Sequence, residues 1–561
     1  MGQHEWWRGE VVYEVYPRSF ADSSGDGVGD LRGITERLTY LKWLGVDAVW
    51  ISPFYTSPMV DFGYDVADHE DVHPTFGTLA SFDALVAEAH NQNLKVILDY
   101  VPNHTSAEHP WFVESRSSKD DSRRDWYLWA DPKPDGGSPN NWLSLFGGPA
   151  WTLDRATNQF YYHAYLEQQP DLNWRNPEVR AAMLNVLRFW LQRGVDGFRV
   201  DALRQLVKDE RIRDNPPNPG WCPGQNPYDA LLPIYSSERP EGHEAIREMR
   251  AVLAEYGDDR LLVGELYLPV ERLVAYYGED GSGVHLPFNF NLISTPWEAG
   301  AIANLIESYE AALPLGGWPN WVLGNHDRSR IASRVGSAQA RVAALLLLTL
   351  RGTPTLYYGD EIGMTDVPIP AEKVRDPWEK NVPGIGVGRD PARTPMQWNG
   401  GPNASFCPPA VEPWLPLAED HETVNVAAQA GDCGSMLTLY RSLIALRRRE
   451  SALSVGSYSP VIGGGDLLAY AREHEGRRLL VILNLSSESR TFDLLGRGPL
   501  GRVLLGTHPD RENDKVHGET ELRADEGVVV EPPARLRGLR GRSPGKPVDG
   551  TPRELKRIMK G

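Results

Sequence analysis

The 561-residue chain is poor in cysteine. It has three, Cys222, Cys407 and Cys433, and so odd and low a count gives no disulfide framework. None sits at zinc-finger spacing, so a reducing compartment, the cytoplasm, is expected. Long apolar runs are also missing. "VAALLLLTL" (342–350) is about half of the roughly 20 residues needed to cross a bilayer, and reads as a buried helix. The N-terminal "MGQHEWWRGEVVYEVYP" lacks the cationic start and apolar stretch of a signal peptide, so no membrane partner is expected. Positive charge is in deficit: 58 Lys and Arg against 76 Asp and Glu leave a net −18. Such a surface repels phosphate backbones, which argues against nucleic acid. No short-period repeat is present.

What the chain does contain is a rhythm. Eight short apolar runs recur: 11–17, 47–53, 95–104, 195–201, 260–265, 285–290, 320–327 and 353–361. Continuous apolar runs suit parallel strands covered on both faces. Helix-period stripes lie between them. Phe82, Leu85, Val86 and Ala89 form one; Val179, Met183, Val186, Leu187 and Trp190 form another, with Pro177 near its start and Gly194 near its end. Strands alternating with helices predict the α/β class, and eight of them a (β/α)8 TIM barrel. The barrel is assigned to 1–104 and 171–454. Residues 105–170, rich in Trp, Pro, Gly and Asn, read as a subdomain inserted after strand 3. Alternating β-like runs predict a C-terminal antiparallel β-sandwich over 455–540, and 541–561 read as a basic, mobile tail.

The downstream ends of the runs carry the chemistry. The third ends in Asp99, Asn103 and His104, the fourth in Arg199 and Asp201, the fifth in Glu265, the seventh in Asn325, His326 and Asp327. One polar residue at a strand end is an ordinary cap. Several carboxylates, two histidines and an arginine on one barrel rim are costly to bury unless paired or used. Carboxylates without a Cys/His metal cluster suggest glycosyl chemistry, one attacking an anomeric carbon and another protonating the leaving oxygen. Arg199 would keep Asp201 ionised, and Glu265, after "LLVG", would be desolvated enough to hold a proton.

These motifs resemble the α-amylase family of glycoside hydrolases (family 13), closest to its α-glucosidase and oligo-1,6-glucosidase branch. "DYVPNH", "GFRVDAL", "GELY" and "GNHD" occur in order at strand ends, with "QPDLNW" (169–174), "VYPRSFADSSGDGVGDLRGI" and "ARTPMQW" beside them. The resemblance reaches to about residue 535. It implies Asp201 as nucleophile, Glu265 as acid/base and Asp327 as the group on the sugar's C2 and C3 hydroxyls. His104 and His326 would hydrogen-bond the same glucose, and Arg199 would orient Asp201. Asp61 would grip the 4-hydroxyl and Tyr64 stack under the ring. An arginine of "GRDPARTPMQW" would pair with Asp61, Arg393 being favoured over Arg389. Phe146 is read either as pocket wall or as core packing.

The implied activity is that of an exo-acting retaining α-glucosidase on maltose-like α-glucosides, with transglucosylation as an added capacity. Ala202, after the nucleophile, leans toward α-1,4 linkages. A sucrose- or trehalose-acting transglucosidase or isomerase is the runner-up, and a non-catalytic assembly subunit the reading from another class. "DSSGDGVGD" sets oxygen donors at Asp22, Ser24, Asp26, the Val28 carbonyl and Asp30, like the first part of an EF-hand loop, although Gly33 stands where its glutamate would. The resemblance implies a structural Ca2+ there, or Mg2+, and no organic cofactor. Small-molecule α-glucosides are the expected partners, and both monomer and homodimer stay open.

Overall fold

The computed structural model describes residues 5–493, 499–517 and 519–532. The tail assigned to 541–561, and 533–540 of the C-terminal region, lie outside the described residues. Each of the eight runs forms a strand: β1 Val12–Val15, β2 Ala48–Ile51, β3 Lys95–Tyr100, β4 Gly197–Val200, β5 Leu261–Gly264, β6 Leu286–Pro287, β7 Asn320–Val322 and β8 Thr353–Tyr357. They pair in parallel in the order β6-β5-β4-β3-β2-β1-β8-β7, a (β/α)8 barrel wall.

The helices α1 Leu31–Leu44, α2 Leu79–Asn91, α3 Pro177–Gln192, α4 Gly242–Ala254, α5 Ala299–Ala312, α6 Ser337–Thr349 and α7 Met436–Arg449 pack outside this wall. Their ends follow capping chemistry. The Asn176 side chain accepts from the Glu178 N–H with Pro177 at the first turn, and Thr78 and Ser81 close a capping box on α2. Both predicted stripes are buried. Residues 342–349 of "VAALLLLTL" lie in α6 and are all buried, and among the described residues no helix is long and apolar enough to cross a membrane.

Inside the barrel the lower layers are apolar: Val12, Ala48, Trp50, Ile97, Leu261, Val263, Leu286 and Phe288 form one cluster. Between β3 and α3 the chain makes a helix, Pro110–Ser117, and a three-stranded antiparallel sheet of Trp129–Ala130, Gln159–Tyr162 and Trp151–Asp154. After α7 comes a six-stranded antiparallel sheet with a two-stranded ribbon, Arg490–Asp493 with Glu519–Leu522. Phe492 and Leu522 of the ribbon cluster with Ala469, Leu480, Ile482 and Val503 of the sheet, giving a sandwich of unequal layers. The sheet's other residues, Leu468, Tyr470, Val481 and Val529, join the core shared with α6 and α7.

Candidate active site

Strand register brings the charged groups together. Arg199 on β4 is the register partner of Asp99 on β3 and of Val263 on β5. Asp201 and Glu265 stand one step past the ends of β4 and β5; the Asp201 N–H donates to Tyr100 O (2.8 Å) and that of Glu265 to Val200 O (3.0 Å). Residues two apart on a strand share a side, so Arg199 and Asp201 both face the barrel axis. The Arg199 guanidinium contacts three carboxyls: Asp99 at 2.7 Å, Asp201 at 2.8 Å and Glu265 at 3.0 Å. Its face lies 5.2 Å from the Trp50 ring.

This corrects one expectation. A single guanidinium does not hold Asp201 in the ordinary carboxylate range. Burial, with the Glu265 charge beside it, pushes the Asp201 carboxyl well up against the pull of Arg199. One cation shared among three acids is too little positive charge, and such groups titrate together. Asp99 is pushed up to about 6, again chiefly by burial.

Glu265 is also held from its neighbour's backbone. Ala202 sits at φ 48°, ψ 31°, left-handed for a residue with a Cβ, and its N–H donates to Glu265 Oε2 at 2.8 Å. That backbone costs on the order of 1–3 kcal/mol and is stored beside the reacting groups. One Glu265 oxygen thus accepts the Ala202 N–H while the other lies in ion-pair contact with Arg199, which together fix the carboxyl's position.

The other wall is a second ionic network. Asp61 pairs with Arg389 at 2.7 Å, and Arg389 is anchored by Asp376 through its guanidinium (2.6 Å) and its own N–H (2.7 Å). The favoured Arg393 does not reach Asp61. It donates to the His326 carbonyl (2.6 Å) and to Asp327 (2.8 Å), with its guanidinium 5.2 Å from the Tyr16 ring. The reason is local: Asp376 captures Arg389 ahead of the 3-10 turn Asp390–Ala392, and the turn carries Arg393 behind His326. Burial raises Asp327, but the Arg393 and Arg389 guanidiniums, with His326 where acid protonates it, more than reverse it and hold that carboxyl below the usual range.

The two histidines are neutral. Burial takes His104 down to about 4 and His326 to about 3. His326 Nε2 meets the Tyr64 hydroxyl at 2.8 Å and its other nitrogen meets Glu14. Tyr64 in turn donates to Asp99 (3.0 Å), tying the walls together. Gln169 bridges Asp61 and His104, at 3.2 Å from each. Phe146 stacks on Trp378 at 5.3 Å and takes the Arg389 guanidinium at 4.8 Å, so it is pocket wall and packing at once.

These groups enclose a cavity of about 440 Å3. Asp61, Tyr64, His104, Phe146, Asp201, Glu265 and Asp327 line it, while Arg199, His326 and Arg393 stand behind. Sequence reasoning missed Gln169, Glu14 and Asp376, and the mouth residues Arg204, Gln205, Tyr228, Asp229 and Tyr267. A lone acid in the apolar "VYEV" was a usable signal for Glu14, and "QPDLNW" one for Gln169. Among the mouth residues, Tyr228 and Asp229 lie in segment 208–238, which is nearly free of regular structure, while Arg204, Gln205 and Tyr267 follow closely on the ends of β4 and β5.

The oxygen-rich loop precedes α1. Asp30 caps that helix through the Gly33 N–H (2.7 Å) and takes Ser23 and Ser24 N–H groups. Asp22 takes those of Gly25 and Gly27, and Asp26 that of Val28. Among the described residues no group of three or more His, Cys, Asp or Glu is gathered at metal-holding distance. The donors that this loop offers, Ser24 and the Val28 carbonyl included, are all hard oxygens, which suit Ca2+ or Mg2+ rather than a soft metal.

Known proteins resemble this chain over most of its length. Residues 14–456 match the alpha-amylase catalytic domain. A probable alpha-glucosidase of Rhizobium meliloti (strain 1021) is 43% identical over 508 residues, 87% of this chain and 91% of its own length. The solved structure of an alpha-glucosyl transfer enzyme, XgtA, superposes with a TM-score of 0.88 at 38% identity, over 95% of this chain and 100% of that one. The trehalulose synthase MutB from Pseudomonas mesoacidophila MX-45 does so with a TM-score of 0.86 at 33% identity, over 94% and 100%. With the barrel, the ring of carboxyls around Arg199 and this match over most of its length, the chain belongs to the alpha-amylase family and is a glycoside hydrolase.

Proposed function

We propose that the protein is an exo-acting, retaining α-glucosidase that releases α-glucose from the non-reducing end of maltose-like α-glucosides. The observation that carries this reading is Arg199 contacting Asp201 and Glu265 at once, above a cavity whose far wall is tied off by Asp61 and Arg389. Asp201 attacks the anomeric carbon while Glu265 protonates the leaving oxygen, giving a glucosyl-enzyme. Glu265 then takes a proton from water as that water attacks the same carbon and displaces the Asp201 carboxylate, so the configuration is retained. Asp327, ionised beside Arg393 and Arg389, accepts hydrogen bonds from the sugar's C2 and C3 hydroxyls. Neutral His104 and His326 bond the same ring, Asp61 accepts from the 4-hydroxyl, and the Tyr64 ring lies under the sugar. Because Asp61 and Arg389 leave no room behind that hydroxyl, the site takes one glucose and works from the chain end.

The test is glucose release from maltose with anomer-resolved NMR. First-formed β-glucose would sink the retaining reading. The likeness to XgtA and MutB supports glucosyl transfer and sucrose isomerisation as second readings, which product analysis on maltose, isomaltose, sucrose and trehalose separates. The loop of Asp22, Ser24, Asp26, Val28 and Asp30 holds a structural Ca2+ in this reading; EDTA should lower the Tm and added Ca2+ restore it. The three cysteines are unpaired, which supports a cytoplasmic setting.

A further inference from the structure

Under the catalytic pocket runs a buried chain of contacts whose hydrogens can be counted. Glu14, on β1 and fully buried, touches His326 Nδ1; His326 Nε2 meets the Tyr64 hydroxyl at 2.8 Å; and that hydroxyl meets Asp99 at 3.0 Å. Tyr16 and Tyr64 lie nearly parallel to the His326 ring, at 13° and 16°, so the ring is held in place and only its hydrogen is free to move. Each of the three contacts needs one hydrogen. Burial keeps His326 neutral, so the imidazole brings one and the tyrosine brings one. The third has to come from a carboxyl at one end of the chain.

The two ends are not equal. Asp99 pairs with Arg199 at 2.7 Å and accepts the Trp50 indole N–H at 3.3 Å, contacts that favour its anion. Glu14 faces Asp99 on β3, Arg199 on β4, His326 and Asp327 past β7, and Tyr357 on β8. Among the described residues no lysine or arginine forms an ion pair with it; His326 is its contact. Burial, against the more distant pull of Arg199, pushes the Glu14 carboxyl well up. We propose that Glu14 is a positioning residue: its carboxyl proton fixes His326 with the ring hydrogen on Nε2, keeps Tyr64 donating to Asp99, and so leaves Asp99 as the anion that shares Arg199 with Asp201 and Glu265. Which nitrogen of a histidine carries the hydrogen is set by what its other nitrogen meets, and here that is Glu14.

The tautomer is read by 15N NMR of histidine-labelled protein, the His326 signals being identified by their loss in His326→Asn. Nδ1 is expected to be the bare nitrogen, and a hydrogen on Nδ1 in the unmodified protein overturns the proposal. Two variants test the consequence. The amide of Glu14→Gln can still donate to Nδ1, whereas the thioether of Glu14→Met fills similar space and can only accept. Glu14→Gln should keep both the tautomer and kcat/KM on 4-nitrophenyl α-glucoside. In Glu14→Met the ring hydrogen should move to Nδ1, the Tyr64 hydroxyl should turn to Nε2, and Asp99, without that donor, should take up a proton more readily. Arg199 then leans on Asp201, so the acid limb of kcat/KM should move to lower pH while its plateau falls about tenfold or more, as when an active-site histidine is left in the wrong tautomer. Equal losses in the two variants would reduce Glu14 to packing and overturn the proposal, as would an unmoved acid limb in Glu14→Met. Should that variant fold poorly, the tautomer in the unmodified protein and in Glu14→Gln decides. The rate assay rests on the α-glucosidase reading: no glucose release by the unmodified protein sinks that reading and leaves the tautomer to judge Glu14.

Discussion

Both ends of the barrel pair carboxyl groups beside arginine, yet they use them differently. At the upper rim Arg199 faces Asp99, Asp201 and Glu265, and the last two open onto the 440 Å3 cavity. At the lower end Glu10 and Asp47 sit near Arg447 and Arg448. There the groups are consumed by the fold: Asp47 accepts the Val11 N–H at 3.0 Å and pairs with Arg448. Arg447 donates to the carbonyls of Leu348, Leu350, Gly352 and Leu453. The lesson is that charge alone does not mark a site. What separates the ends is whether the chain's own backbone has used up the lone pairs.

That contrast is broken most strongly by the reacting carboxyls. Asp201→Ala and Glu265→Gln are expected to cut kcat by about 10³-fold or more, with little loss of Tm, because neither residue holds a wall by itself. Near-normal turnover in either would end the contrast. Since burial and Glu265 raise Asp201, kcat/KM should fall on the acid side at a pH above the ordinary aspartate range, as the nucleophile takes its proton. A profile flat down to pH 4 would contradict it.

Next in size is Arg389→Ala, which strips the cation from between Asp61 and Asp376, both nearly fully buried. Removing one partner of a buried pair costs about 3–5 kcal/mol, so here Tm and kcat/KM should fall together. Arg393→Ala tests the reassignment: it should disturb Asp327 and leave the Asp61 wall standing, and a crystal structure with Asp61 displaced would reverse it.

How much of this was legible follows the same divide. The eight strands were readable because parallel strands need unbroken apolar runs, and each rim residue was readable because a charge at the end of such a run is expensive. The choice between Arg393 and Arg389 was not. Both lie in one irregular segment, and what decides between them is Asp376, a residue 13 positions before Arg389 that no periodicity singles out. Tyr228 and Asp229 at the mouth were opaque for a similar reason: they sit on one 3-10 turn, Pro227–Ala230, in an otherwise irregular segment, where sequence spacing says little about which side chains meet. Asp201's raised carboxyl was invisible because the sequence shows a neighbouring arginine, not how many acids share it.

Asp47→Ala should act at the lower end only. It removes the Val11 acceptor and the Arg448 partner, a loss of about 1–2 kcal/mol, given that the Arg448 side chain is half exposed and contributes little. Unchanged kcat on an aryl α-glucoside with a lowered Tm would sharpen the division of labour between the ends. A kcat that fell with it would show the two ends to be coupled through the barrel.

The smallest effect belongs to Glu10. Burial first, and its hydrogen bond to Asp47 second, push its carboxyl up to about 8. The folded protein therefore keeps a proton that the unfolded chain gives up above pH 4.5, so the stability Glu10 contributes is full below that value and is lost as pH rises through 8. The Tm should decline with pH across this window. Glu10→Gln presents an amide that donates to Asp47 as the protonated carboxyl does, and nothing in it titrates, so that part of the decline should vanish while kcat on the aryl glucoside keeps its value. Parallel Tm curves for the two proteins between pH 5 and 8 would mean that solvent settles the Glu10 and Asp47 pair, and the contrast between the ends would have to rest on the open cavity alone.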